Sequence, residues 1–186
     1  MEQQVSRLQI AQTLYARAQE LSNQAEKTYR EKTEKSKDGQ YYLTMIKKGT
    51  QADKVSALVM MIQKNPQGSL NYLMQLLNMA KKPNRKVAET AILTIKDLLL
   101  QKELLPETTT TWHAFTKHPL ILEKRESCSN EELLACHFEH CLREIVREFV
   151  SQVLQGLSHE ELDHYRTLSL DILVDLLESA ISADCL

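Results

Sequence analysis

Apolar residues return along this chain with the three-and-four rhythm of helices. Between Glu2 and Lys35, Val5, Leu8, Ala11, Tyr15, Ala18, Leu21 and Ala25 form one such stripe, which predicts a long amphipathic helix. From Glu26 onward charge displaces the apolar residues and the run ends in Ser36-Lys37-Asp38-Gly39, so the helix is expected to fray into a linker. A boundary near Ser36 to Gln40 would set residues 1–38 apart from a second unit at 39–186.

The second unit reads as shorter helices with marked ends. Tyr42, Leu43 and Ile46 lead to Gly49, whose missing Cβ suits a left-handed C-terminal cap. Thr50 and Asp53 then make a T-x-x-D capping signature for a helix through Val55, Leu58, Met61 and Ile62. Asn65-Pro66-Gln67-Gly68 stops it. Ser69 is placed to cap a helix carrying Leu70, Leu73, Leu76 and Leu77, which Pro83 ends, and Asn84 to cap one carrying Val87, Ala91, Ile95, Leu98 and Leu99.

After Pro106 comes a connection of some twenty residues, through Thr108 to Thr111, Trp112, Phe115, Pro119 and Leu120. Helix resumes near Ser129, runs through Leu133, Phe138, Leu142, Ile145, Phe149 and Val153, and is expected to stop at Gly156. Ser158 and Glu161 read as a capping box for a last helix through Leu162, Tyr165, Leu168, Ile172, Leu176 and Ile181. With short connections between them, these helices must pack antiparallel, in an ordinary bundle or in HEAT-like stacking; periodicity leaves both open.

Composition narrows this picture. Four glycines and four prolines in 186 residues are too few for a barrel or sandwich, so the class is all-α. No apolar run approaches the length of a membrane-crossing helix, and Met1 to Ile10 lacks the apolar core of a signal peptide. The cysteines, Cys128, Cys136, Cys141 and Cys185, are therefore expected to be reduced, and their spacing gives no zinc ribbon. Met61 and Met79, with Met60 and Met74, are expected to fill the core rather than to form a partner groove.

Charge is segregated. Lys47 to Lys102 holds ten basic residues against three acids, whereas Glu126 to Leu186 holds thirteen acids against three arginines. Such asymmetry suits an anionic partner for the middle segment, though solvated helix faces produce the same pattern. Lys81, Lys82, Arg85 and Lys86 flank Pro83-Asn84 between two helices, where several cations can displace counterions from phosphates. Lys47, Lys48 and Lys54 extend that candidate nucleic-acid surface. Only ten aromatics exist, most at core spacing, so contact with RNA would be to the backbone rather than by base stacking. Cys136 and His140 share one helix face, and His137 and Cys141 another about 100° away, so these four are not expected to converge on a metal. Neither a phosphate-binding glycine loop nor an oriented nucleophile is present, and neither catalytic residues, a bound metal nor a cofactor is expected.

One further pattern carries a name. Ile46-Lys47-Lys48-Gly49-Thr50, Asp53-Lys54-Val55-Ser56-Ala57-Leu58, Gln63 with Pro66, Leu76 to Lys82, Lys96-Asp97-Leu98-Leu99, Leu104-Leu105-Pro106 and Phe115 through Pro119-Leu120 resemble the CCAAT-binding-factor and nucleolar complex protein family. The resemblance is to the family's N-terminal part, and it makes Gly49, Thr50, Asp53, Lys54, Asp97, Leu104, Leu105 and Pro106 structural motif residues. It implies a HEAT-like α-solenoid of antiparallel helix pairs behind the N-terminal helix, in a nucleolar or nuclear protein. Its implied role is a non-enzymatic scaffold for the large ribosomal subunit precursor, bound to a sister nucleolar complex protein and pre-ribosomal RNA, with neither a membrane nor a small-molecule substrate. Family members are much longer, so a piece, a short isoform or a reduced member is expected. The rival reading is a transcription-linked or cytoplasmic HEAT-type adaptor that binds protein only.

Overall fold

The computed structural model describes residues 2–100, 104, 113–124 and 127–184, with side chains between residues 9 and 178. Leu105, Pro106, Thr108 to Thr111, Trp112 and Cys185 lie outside the described residues, as do the side chains of Val5, Leu8 and Ile181. The chain is all-α. Its order is α1 (Glu2–Lys35), α2 (Lys37–Lys48), α3 (Gln51–Lys64), α4 (Leu70–Ala80), α5 (Arg85–Leu100), a 3₁₀ turn (Phe115–Lys117), α6 (Pro119–Lys124), α7 (Asn130–Glu148), a π-helical segment (Phe149–Leu154), α8 (Gln155–Ser158) and α9 (Asp163–Asp184). Consecutive helices from α1 to α5 pack in neighbouring pairs as a solenoid, α9 closes on α5, and α1 also lies across α7.

The expected linker after α1 is instead a corner of a single residue. Ser36 caps α2 by accepting the Gly39 N–H at 3.0 Å, and Gln40 donates its side-chain amide to the Glu34 carbonyl at the end of α1. Gly39 is what permits the tightness, since a Cβ there would stand 2.1 Å from the Thr33 carbonyl oxygen. The charged stretch from Glu26 stays helical because its sparse apolar and aromatic positions are used. Tyr29 donates its hydroxyl to the Met61 carbonyl at 2.8 Å and meets Tyr72 edge to face.

Those contacts also order the ends of the stack. Gly68 packs against Tyr29, and Lys64 reaches Asp38 at 3.9 Å, so the α1–α2 and α3–α4 turns share one end. Because α2 and α4 both lead away from that end, the turns at Gly49-Thr50 and Lys81 to Asn84 fall at the other.

The cap between α2 and α3 departs from its expected form on one side only. Thr50 and Asp53 make a full capping box, with Asp53 N–H to Thr50 Oγ1 at 3.2 Å and Thr50 N–H to Asp53 Oδ2 at 2.9 Å. Gly49 is extended rather than left-handed, at φ −72° and ψ 170°. The next helix starts at once, so the chain needs no left-handed reversal; glycine is needed for space, because a Cβ would sit 2.5 Å from the Met45 carbonyl oxygen. Asn84 accepts the Val87 N–H at 3.4 Å, as its position suggested. Ser69 does not cap α4: its hydroxyl donates to the Pro66 carbonyl at 3.0 Å and braces the preceding turn.

Further along, Ser129 and Glu132 form a second capping box at the start of α7. Helical structure continues past Gly156 to Ser158 through the wider π turn, which lets the adjacent Val153 and Leu154 both face inward and be buried. The expected Ser158–Glu161 box is absent, because Ser158 belongs to the end of α8 and donates to the Gln155 carbonyl. The last helix starts two residues beyond Glu161, at Asp163, which leaves Leu162 outside it and 62% exposed.

Two apolar clusters result. The larger joins Leu58, Leu76, Ile92, Leu142 and Ile172 across α3, α4, α5, α7 and α9, and takes in Leu104. The smaller holds α1 against the 3₁₀ turn and α7 through Leu14, Ala18, Phe115, Leu133 and Cys136. Met61 and Met79 are buried, while Met60 and Met74 stay exposed. α9 is used on one side; Leu170, Val174 and Leu177 remain outside. Leu76→Ala, which empties a fully buried position, is expected to lower unfolding free energy by about 2–5 kcal/mol in urea. Leu170→Ser should leave the urea midpoint nearly unchanged.

Candidate nucleic-acid interface

Lys47 and Lys48 end α2, Lys54 lies in the first turn of α3, and Lys81, Lys82, Arg85 and Lys86 surround the α4–α5 turn. All seven therefore belong to the same end of the stack, and all except the half-buried Lys54 are exposed. They are not equivalent. Lys81 pairs with Glu148, and Arg85 with Glu160 while its guanidinium lies 5.6 Å from the centre of the Tyr165 ring. Farther along α5, Lys96 meets Asp175 at 3.2 Å and Glu89 meets His164 at 3.1 Å. The basic middle segment and the acidic C-terminal half thus partly answer each other within the fold. Lys47, Lys48, Lys54, Lys82 and Lys86 have no carboxylate partner among the described residues.

The motif residues have distinct places. Gly49, Thr50 and Asp53 build the α2–α3 cap, and the two hydrogen bonds from Thr50, hydroxyl first, hold the Asp53 carboxyl below its usual range. Asp97 is exposed on α5, and Leu104 is buried in the larger cluster.

The smaller cluster contains chemistry that the sequence reading did not find. Glu139, buried in α7, accepts from the His113 backbone N–H, faces His113 Nδ1 at 3.2 Å through Oε1, and faces His118 Nε2 at 3.2 Å through Oε2. His118 Nδ1 accepts the Leu120 N–H at 3.2 Å and lies 3.4 Å from Cys136 Sγ. Because Nδ1 is accepting, the ring's proton belongs on Nε2, toward Glu139. The histidines sit in the segment read as an irregular connection, and their partner lies more than twenty residues later.

The Cys136 to Cys141 stretch separates as its helical spacing requires. Cys136 turns to His118, whereas Cys141 Sγ lies 3.7 Å from His137 Nδ1. Tyr15 of α1 stacks near both His137 and His140. Burial, then the Glu139 charge, pushes the Cys136 thiol up to about 12; burial, then Glu26, pushes Cys141 to about 11. Burial pushes both His137 and His140 down, and the His140 charge pushes His137 further.

Two measurements check this electrostatic picture. Thiolates are the reactive form, so Cys136 and Cys141 are expected to resist alkylation at about pH 8 in the native chain and to react after unfolding, as read by peptide mass spectrometry. The histidines act at acid pH. Their folded-state values are depressed, so their contribution is present above the unfolded value near 6.5 and is lost as pH falls. Tm is expected to drop as pH falls below about 6.5, and His137→Gln to flatten the drop.

No family model matches the chain. It is 31% identical over 163 residues to the CCAAT/enhancer-binding protein zeta of Mus musculus, a match that covers 83% of this chain and 15% of that protein. The protein of that name from Homo sapiens is 30% identical over 168 residues, 86% of this chain and 16% of its own length. Nucleolar complex protein 1 of Drosophila melanogaster is 29% identical over 126 residues, 64% of this chain and 11% of its own length. The chain therefore spans about one sixth of the length of the first two curated relatives it matches. Over that shared stretch, with its all-α solenoid, the chain belongs to the CCAAT-binding-factor and nucleolar complex protein family.

Proposed function

We propose that this chain is a non-enzymatic helical scaffold of the nucleolus that helps assemble the large ribosomal subunit precursor by holding pre-ribosomal RNA and a sister nucleolar complex protein. The supporting observation is the crowded end of the stack, where seven cations gather in a chain of net charge −2 and five of them lack an acidic partner among the described residues. Neighbouring turns there supply a row of ammonium groups beside the starts of α3 and α5, an arrangement suited to phosphates. The relative named for the nucleolar complex favours RNA as the polyanion. Few aromatics are exposed among the described residues, so contacts are to the RNA backbone and tolerate sequence.

The protein partner has its own surface in this reading. Leu170, Val174 and Leu177 lie at helical spacing on α9, exposed and bordered by Asp171, Asp175 and Glu178. That face suits a sister-protein helix with an apolar stripe and basic flanks.

Changing Lys47, Lys48, Lys54, Lys82 and Lys86 together to Gln is expected to weaken binding to unrelated RNAs alike. The slope of log affinity against log salt should fall by about 0.7 per lost contact on single strands. Stability should hardly move, since unpaired surface cations carry little of it. Wild-type affinity and slope in the folded variant would exclude the RNA role and favour the protein-only adaptor. For the adaptor, association with ribosome precursors survives RNase and follows the sister protein.

A further inference from the structure

We propose that His113, His118 and Glu139 form a zinc site that clips the 3₁₀ turn to α7. The first reason is charge. Glu139 is buried, its side-chain partners among the described residues are two histidines, and neither lysine nor arginine pairs with it there. His118, with Nδ1 accepting the Leu120 N–H, is neutral in this arrangement. A buried carboxylate without a permanent cation is costly, and a divalent ion between the three groups offsets that cost.

The second reason is geometry. One ligand atom from each residue lies within 4.8 Å of the other two, and each Glu139 oxygen stands 3.2 Å from one imidazole nitrogen, Oε1 from His113 Nδ1 and Oε2 from His118 Nε2. Tetrahedral zinc, with bonds of about 2.0–2.1 Å to nitrogen and oxygen, sets its ligand atoms about 3.3–3.4 Å apart. Two imidazoles and one carboxylate are a known donor set for this borderline ion, with water completing the fourth position. His113 is the rim of the site and gives access from solvent, its side chain being 33% exposed against 12% for His118.

Loading changes the ring protons without net release. Zinc on His118 Nε2 requires the proton on Nδ1, where Cys136 Sγ at 3.4 Å receives it as a weak acceptor and the Leu120 N–H is released. His113, bound through Nδ1, carries its proton on Nε2. Cys136 supports the ring from its far nitrogen and is not a ligand.

The test is titration of the EDTA-stripped full chain with zinc chloride by calorimetry, with Tm read alongside. One zinc per chain and a raised Tm are expected, with affinity falling as the solution is acidified and protons compete with the ion for its ligands. His113→Gln, at the exposed rim, should keep the native circular dichroism spectrum and lose more than about a hundredfold in affinity, beyond the roughly 10–100-fold effect of a supporting-residue change. Glu139→Gln should do likewise, and Cys141→Ser should bind as wild type. Absence of zinc uptake by the folded wild-type chain, or uptake unaltered in folded His113→Gln, would overturn the site and leave the RNA reading untouched.

Discussion

An amphipathic helix cannot hide its apolar stripe alone, and this chain has little except such helices. Each must lend one face to its neighbour, so the stack depends on continuous burial from Leu58 through Leu76 and Ile92 to Leu142 and Ile172. That dependence explains the economy of the turns. Ser36 with Gly39, and Gly49 with Thr50 and Asp53, reverse the chain almost without connecting residues, and so keep adjacent stripes in register. The second cluster solves a separate problem, the long α1, which spans more than one neighbour and needs Leu14, Ala18 and Phe115 against α7.

Electrostatics is arranged on top of this packing. The basic middle and acidic C-terminal segments meet at several points: Lys81 pairs with Glu148 at the end of α7, Arg85 with Glu160 just before α9, and Lys96 with Asp175 where α9 closes on α5. Such part-exposed pairs orient more than they stabilise. Their consequence is selective: they absorb some of the positive charge at the Lys81 to Lys86 turn and leave Lys82 and Lys86, like Lys47, Lys48 and Lys54, without a carboxylate partner among the described residues. Charge arithmetic along the sequence cannot separate these two groups, because it does not know which helices touch.

How much could be read beforehand depends on the range of the interaction. The Thr50–Asp53 box was legible because both partners lie within one turn, and the helical stripes because burial follows their period. Ser69 and Ser158 misled for the same local reason: each precedes helical residues, yet its hydroxyl is taken by a carbonyl of the preceding turn or helix. Gly156 falls inside α8, reached through a π turn that no residue type announces. The His113–His118–Glu139 group was invisible, since a connection with two histidines five residues apart acquires meaning only when α7 presents a buried carboxylate to it.

The central claim is that the end of the stack formed by the α2–α3 and α4–α5 turns lies against RNA. Ultraviolet crosslinking in cells, followed by mass spectrometry of the RNA-linked peptides from this chain, tests it most directly. The account predicts adducts on peptides spanning Lys47 to Lys54 and Lys81 to Lys86, on RNA from large-subunit precursors. Adducts confined to the acidic C-terminal helices, or their absence from a chain that still co-purifies with those precursors, would contradict it.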